Sequence, residues 1–286
     1  MKKWTTIMIG ALLAVSLAAC GNDTDKSATP SAGNETANES NKPAEQKAAV
    51  PTLDELLAKT SEASKALKSF TTDANIDQKI KVVAGEQSQD QEVKTSLKMD
   101  IIKDPMTIYQ EVELDMPGQG KQNVKQYITS DNIYSQVGDQ WVTVPEDQAK
   151  ELIEPMKASM NPEQELDQFK KVEDNIKITE EGDSYVMSAD VSGDNVKDLA
   201  KSLMEQNGSD AQLQAMLEQM TIKSMKMKYM INKETSLLES VDVDMVMELE
   251  QEGQKMTMDM KMDTKFSNHD KVEEIKVPQE ALDSAK

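Results

Sequence analysis

The sequence predicts an α+β domain built on one large, curved antiparallel sheet of about ten or eleven strands, an unclosed β-barrel with helices over its concave face. Three observations point there. Most segments between Phe70 and Met262 alternate apolar and polar residues with a period of two. Stretches with helical spacing stand before and between those segments. The alternation is clean, so each strand has one wetted face, which suits antiparallel rather than parallel pairing. An open sheet of that size curls, and its apolar hollow needs a helical cover.

The first element starts at Thr52. Threonine there with Glu55 three residues on is a capping box. Leu53, Leu56, Leu57, Thr60, Ala63, Ser64 and Leu67 then share one helical face. The period changes at Phe70. Ala74, Ile76, Ile80 and Val82 alternate with Asp73, Asn75, Asp77, Lys79 and Lys81, the pattern of a half-buried strand. After a turn at Gly85-Glu86-Gln87, Val93, Leu97, Met99 and Ile101 mark a second strand, and Met106 to Met116 a third. Pro117-Gly118 ends it. Two shorter strands lie around Val124–Thr129 and Ile133–Val137, and Gly138-Asp139-Gln140 leads a hairpin into Trp141.

Glu146 to Met160 reads as a helix broken or kinked near Pro155, with a fresh start at Asn161-Pro162-Glu163-Gln164. Ile176, Ile178, Tyr185, Met187, Ala189 and Val191 form a hairpin turning at Glu181-Gly182-Asp183. Val196, Leu199, Ala200, Leu203 and Met204 make another amphipathic helix, stopped at Asn207-Gly208. Leu213, Met216, Leu217 and Met220 continue helical spacing. Three long strands close the chain. Met225, Met227, Tyr229 and Ile231 share a face of the first, and Val241, Val243, Met245, Met247 and Leu249 a face of the second. Met256, Met258, Met260 and Met262 line the third.

The N-terminus reads differently. Lys2 and Lys3 precede a short apolar run, Ile7 to Leu17, and the small residues Ala18-Ala19. That is a secretory signal over residues 1–19, too short to span a membrane. The only cysteine of the 286 residues, Cys20, stands at the cleavage point before Gly21. Leu17-Ala18-Ala19-Cys20 resembles the bacterial lipobox. The resemblance implies a diacylglyceryl group on the Cys20 sulfur and a mature chain anchored to the extracytoplasmic face of the cell membrane; two acyl chains anchor stably where one does not. An ordinary signal with an accidental cysteine is the plainer alternative. Residues 20–51 read as the lipidated terminus and a disordered linker, since Val50 is their sole branched aliphatic residue. Such a coil reaches on the order of 30 Å. Residues 52–286 read as a single domain.

Composition excludes some functions. The chain has a formal charge of −20, and removal of residues 1–19 takes it to −22. All 32 basic residues are lysine. A strongly acidic domain without guanidinium forks is poorly suited to phosphate backbones, so no nucleic-acid partner is expected. Anionic headgroups repel it over a Debye length of about 10 Å. With Cys20 consumed, no disulfide can form and stability rests on the core.

The helix ending at Leu67-Lys68-Ser69-Phe70, the long meandering strands, the Tyr134, Gly138 and Trp141 hairpin and three closing strands after Ile231-Asn232-Lys233-Glu234-Thr235 together resemble LolA-like and LppX-like envelope proteins. Within that superfamily the chain is most similar to the Gram-positive lipoproteins labelled DUF6612, in element order over residues 52–278. The resemblance implies an unclosed barrel that holds lipids or acylated proteins, or a sensor of envelope stress. It brings no catalytic residue and no cofactor, and it places the protein in a one-membrane envelope.

Ten of the 20 methionines lie between Met220 and Met262. Methionine is unbranched and polarisable, and suits surfaces that adapt to variable apolar guests. Met225, Met227, Tyr229, Met245, Met247, Met256, Met258, Met260 and Met262 are therefore candidates to line a hydrophobic cavity for an apolar or acylated ligand. A plain core with methionine in place of leucine is the competing account. A docking protein that engages an envelope partner is the alternative function. Catalysis is not expected. His269 is the sole histidine, in the polar run Ser267-Asn268-His269-Asp270 that reads as a solvated turn. There is no second histidine or cysteine for a nucleophile pair or zinc site. Asp242, Asp244, Glu248, Glu250, Asp259 and Asp263 raise a calcium site, but the lysines among them and the lack of a glycine-hinged loop favour a solvated sheet exterior. No metal is expected.

Overall fold

A computed structural model describes residues 50–118, 120–159, 169, 173–192, 220–251 and 253–284. Helix α1 spans Leu53–Ala66, α2 Glu146–Ser159 and α3 Gln279–Asp283. The first six strands are β1 Ser69–Ala84, β2 Gln87–Lys103, β3 Met106–Met116, β4 Gly120–Thr129, β5 Ile133–Val137 and β6 Gln140–Thr143. The remaining five are β7 Ile176–Glu181, β8 Ser184–Ser192, β9 Met220–Asn232, β10 Leu238–Gln251 and β11 Gln254–Ser267. They form one 11-stranded sheet in the order β6-β5-β4-β3-β2-β1-β11-β10-β9-β8-β7. Every neighbouring pair is antiparallel. The edges β6 and β7 do not pair, so the curved sheet stays open.

The period-two pattern decides which residues share a face. Phe70, Ile101, Ile108, Ile128 and Ile133 stand opposite one another across β1 to β5. Ala149 and Ile153 of α2 pack on that row and are 0% and 1% exposed. Across the sheet, Leu56 and Leu57 of α1 pack against Met187 and Ile231 on β8 and β9. Both helices therefore cover the same, inner face. The Thr52 capping box forms: Glu55 N–H donates to Thr52 Oγ1 at 3.3 Å, and Thr52 N–H to Glu55 Oε2 at 3.0 Å. Lys103 Nζ donates to the Ser64 carbonyl at 3.0 Å, tying β2 to the last turn of α1, and burial lowers its pKa.

Several expectations need correction. α2 runs unbroken through Pro155. The proline and Glu151, whose carbonyl loses its usual donor, are both exposed, while Ala149, Ile153 and Met156 hold the helix on the sheet. The second strand begins at Gln87, not Val93. Gln87 to Glu92 pair with β1 alone and are exposed on both faces, which explains why their sequence does not alternate. Met220 opens β9 rather than closing a helix. The Asn268 to Asp270 turn is not merely solvated. Its Asp270 carboxylate accepts the Lys68 and Ser69 N–H groups at 2.6 and 3.4 Å, and Asn268 Nδ2 donates to Thr71 Oγ1 at 3.1 Å. From there residues 268–284 run as a strap over the outer face to α3, where Ser284 Oγ meets Thr143 Oγ1 at 2.8 Å. The expected helices at Val196–Met204 and Leu213–Leu217, the restart at Asn161, the signal segment and Cys20 lie outside the described residues.

Candidate functional site

The register of β9, β10 and β11 sets the candidate residues side by side on the inner face. Met262 stands opposite Val243 and Met260 opposite Met245. Met258 faces Met247, and Met256 faces Leu249. One strand further, Met245 faces Met225, Val243 faces Met227 and Val241 faces Tyr229. A register shift between Val246 and Met247 brings Ile222 opposite Met247 and keeps both on this face. On the other flank, β1 contributes Ile76, Gln78, Ile80 and Val82 opposite Met262, Met260, Met258 and Met256. All nine candidates thus belong to one surface.

They are less deeply buried than the centre of the core. Leu56, Ile108 and Ile231 are 1–2% exposed, whereas every one of the nine is half-buried. Met225, Met227, Met245 and Met247 pack partly against Ala189, Val191 and Ile222. Two thioethers receive weak hydrogen bonds, Met258 from Gln78 Nε2 at 4.0 Å and Met227 from the Tyr229 hydroxyl at 3.9 Å. The Tyr229 ring is met edge-on by Phe169 at 4.9 Å.

A row of polar side chains crosses the inner face. Gln110 Nε2 donates to Gln126 Oε1 at 2.9 Å, and Gln126 Nε2 to Ser135 Oγ at 2.9 Å. Sequence reading passed over this ladder because glutamine on an apolar face looks like a break in the pattern. The Thr60 hydroxyl on α1 is buried with no hydrogen-bond partner among the described residues.

The outer face is charged and paired. Glu248 lies 3.0 Å from both Lys223 and Lys255, whose hydrogen bonds hold its carboxyl below the usual range. Of the carboxylates considered for calcium, Asp242 and Asp263 do stand opposite each other, flanked by Lys228 and Asn75. No group of three or more histidine, cysteine or carboxylate side chains suited to a metal ion occurs among the described residues.

A cavity of about 410 Å³ opens on this outer face, away from the methionines. Thr71, Asp100, Tyr109 and Tyr127 form its floor, and the strap residues Asn268 and Lys271 to Lys276 its wall. Tyr109 and Tyr127 meet at a tilt with ring centres 4.8 Å apart, and Tyr127 and Trp141 likewise at 5.7 Å. Burial and a hydrogen bond to Glu111 push the Tyr109 phenol well above its ordinary pKa, so it stays protonated. The cavity was not foreseen, since the strap that walls it has no periodicity to read.

The sequence profile of a family of unknown function, DUF6612, matches residues 52–286. The chain belongs to the DUF6612 family. No curated protein matches it. Among solved structures, this DUF6612 chain is similar to LprF from Mycobacterium bovis at 12% identity and a TM-score of 0.39, covering 80% of this chain and 99% of that one. It is also similar to the LolA superfamily protein NE2245 from Nitrosomonas europaea, at 11% identity and a TM-score of 0.22, over 79% and 96% of the two chains. A DUF1329 protein from Desulfovibrio piger gives 10% identity and a TM-score of 0.23, over 73% and 89%. At these values none of them lends a ligand or a residue role to this DUF6612 chain. No described helix is long and apolar enough to cross a membrane.

Proposed function

We propose that this protein is a lipid-anchored extracytoplasmic binding protein, tethered through Cys20 and residues 20–51, whose methionine face holds an apolar or acylated ligand without reacting on it. One observation carries the reading. Met225, Met227, Tyr229, Met245, Met247, Met256, Met258, Met260 and Met262 form a contiguous apolar surface that stays half-buried, where the true core is closed to water. Contiguous accessible apolar surface is one mark of a binding site. Flexible thioethers accommodate guests of varied shape. The charged outer face keeps such a protein soluble around its greasy lining.

The test uses the full chain, extracted from membranes in mild detergent. Native mass spectrometry should find a bound mass that delipidation removes, and the delipidated protein should then take up a fluorescent fatty acid stoichiometrically. A homogeneous unliganded mass with no uptake overturns the proposal. Cys20→Ala should move the protein from the membrane fraction into the medium.

A second reading, docking of an envelope protein, draws on the β5–β6 edge. Val137 and Val142 are 63% and 53% exposed there, beside a strand of only four residues. Crosslinking in cells separates the two: a docking protein enriches one polypeptide, a carrier enriches lipid.

A further inference from the structure

Most of the inner face would serve its packing role equally well with leucine. The centre of the β10–β11 pair is different, because four thioethers meet there in register. Met245 faces Met260 and Met247 faces Met258, so the four side chains occupy the corners of one rectangle. Cross-strand Cβ atoms in an antiparallel pair lie about 5 Å apart. Residues two apart along a strand lie about 6.8 Å apart. A thioether sulfur sits only two bonds beyond Cβ on freely rotating torsions, so all four can turn toward one point above the rectangle.

A polar group stands beside them. Gln78 is opposite Met260 on β1 and only 3% exposed. Its amide nitrogen donates to Met258 Sδ at the long distance of 4.0 Å, the one side-chain hydrogen bond recorded for it among the described residues. A buried amide on an apolar face needs polar or soft partners. Its neighbours in the rows above and below are apolar, with Ile76 and Ile80 on its own strand. Thioethers select soft, electron-rich cations and ignore calcium, magnesium and other hard ions. An amide oxygen can complete such a set as a weak, distant ligand.

We propose that Met245, Met247, Met258 and Met260, with the Gln78 side-chain carbonyl, form a site for a soft monovalent metal ion of the copper(I) class. The site shares side chains with the proposed ligand face, but it depends on sulfur, which apolar contact alone does not require. Replacing methionine by leucine removes the sulfur and keeps the volume, so loss of metal binding can be read apart from loss of the fold. A thioether also has no proton to lose. Its metal affinity therefore stays flat with pH, unlike that of imidazole, thiol or carboxylate sites.

The probe is silver(I), an air-stable copper(I) surrogate, titrated calorimetrically into the full chain. Copper(I) itself is titrated anaerobically against a chromophoric chelator. Wild type should bind one ion, and Cys20→Ala should bind it equally. The M245L/M247L/M258L/M260L variant should bind at least tenfold more weakly while its circular dichroism stays that of the wild type. Binding that is absent in wild type, unchanged in the leucine variant, lost with Cys20→Ala, or falling between about pH 7 and 5 overturns the site. Should the leucine variant not fold, X-ray absorption of the silver-loaded wild type decides. A sulfur shell supports the site, and a shell of nitrogen and oxygen alone refutes it.

Discussion

The Asp270 carboxylate accepts the Lys68 backbone N–H at 2.6 Å across 202 residues of sequence. Lys68 follows the end of α1 and Asp270 follows the end of β11, so this contact pins the start of the sheet to its finish. The Ser69 N–H joins the same oxygen at 3.4 Å, and Lys271 N–H closes the turn on Asn268 at 2.9 Å. Asp270 holds φ at 55°, which aspartate and asparagine tolerate better than alanine does. Asp270→Ala should therefore cost about 1 to 2 kcal/mol, and Asp270→Asn roughly half of that. Urea denaturation of the full chain measures both.

His269 sits between those residues, partly withdrawn from water. Burial lowers its pKa below the ordinary 6.5, against Asp270 and Glu239, which act to raise it, and with Lys271, which lowers it further. The unfolded chain therefore binds the proton more readily than the fold does. Stability is complete above the unfolded pKa and is lost as pH falls through and below it. His269→Gln should flatten that part of the pH–stability curve relative to wild type. Parallel slopes for the two proteins from pH 7 to 5 would mean the imidazole plays no part.

Thr60 offers a gain. Its hydroxyl is buried without a hydrogen-bond partner among the described residues. Thr60→Val keeps the shape and the branching at Cβ, and should stabilise the full chain by about 1 kcal/mol. A loss of stability instead would show that the hydroxyl has a partner in solution.

The core and the methionine face should respond differently to truncation. Ile108, 2% exposed at the centre of the row beneath α2, should cost about 3 kcal/mol when replaced by alanine. Met258→Ala and Met260→Ala, at half-buried positions, should each cost about 1 kcal/mol. Equal costs at all three positions would make the methionine face ordinary core.

Legibility followed periodicity. Ile133–Val137 was readable to the residue because the turns on both sides carry strong signals. Met256 to Met262 were legible as one face of the last strand, since they alternate without exception. Gln87 to Glu92 misled because residues with no sheet neighbour on one side have no face to bury. No break occurs at Pro155 because packing through Ile153 and Met156 outweighs one missing hydrogen bond. The strap from Asn268 to Ser284 left no signal. It is held by single polar contacts, with the Lys68 N–H donating to Asp270, the Val272 N–H to Ser69 Oγ and Asn268 Nδ2 to Thr71 Oγ1, and no pattern of hydrophobicity records them. The outer-face cavity stayed hidden for the same reason.

The order of strands carries one more consequence. β2 to β6 and β7 to β10 each zip up between sequence neighbours, apart from the long excursion before β7 and the one before β9. Only the β1–β11 seam, from Thr71 opposite Ser267 to Ala84 opposite Gln254, joins the first strand in sequence to the last. The loop-closure cost of the architecture is thus concentrated in a single zipper at the sheet's midline. The molecule is two wings on one spine, and parting that spine would halve the greasy lining while leaving each wing's own ladder intact.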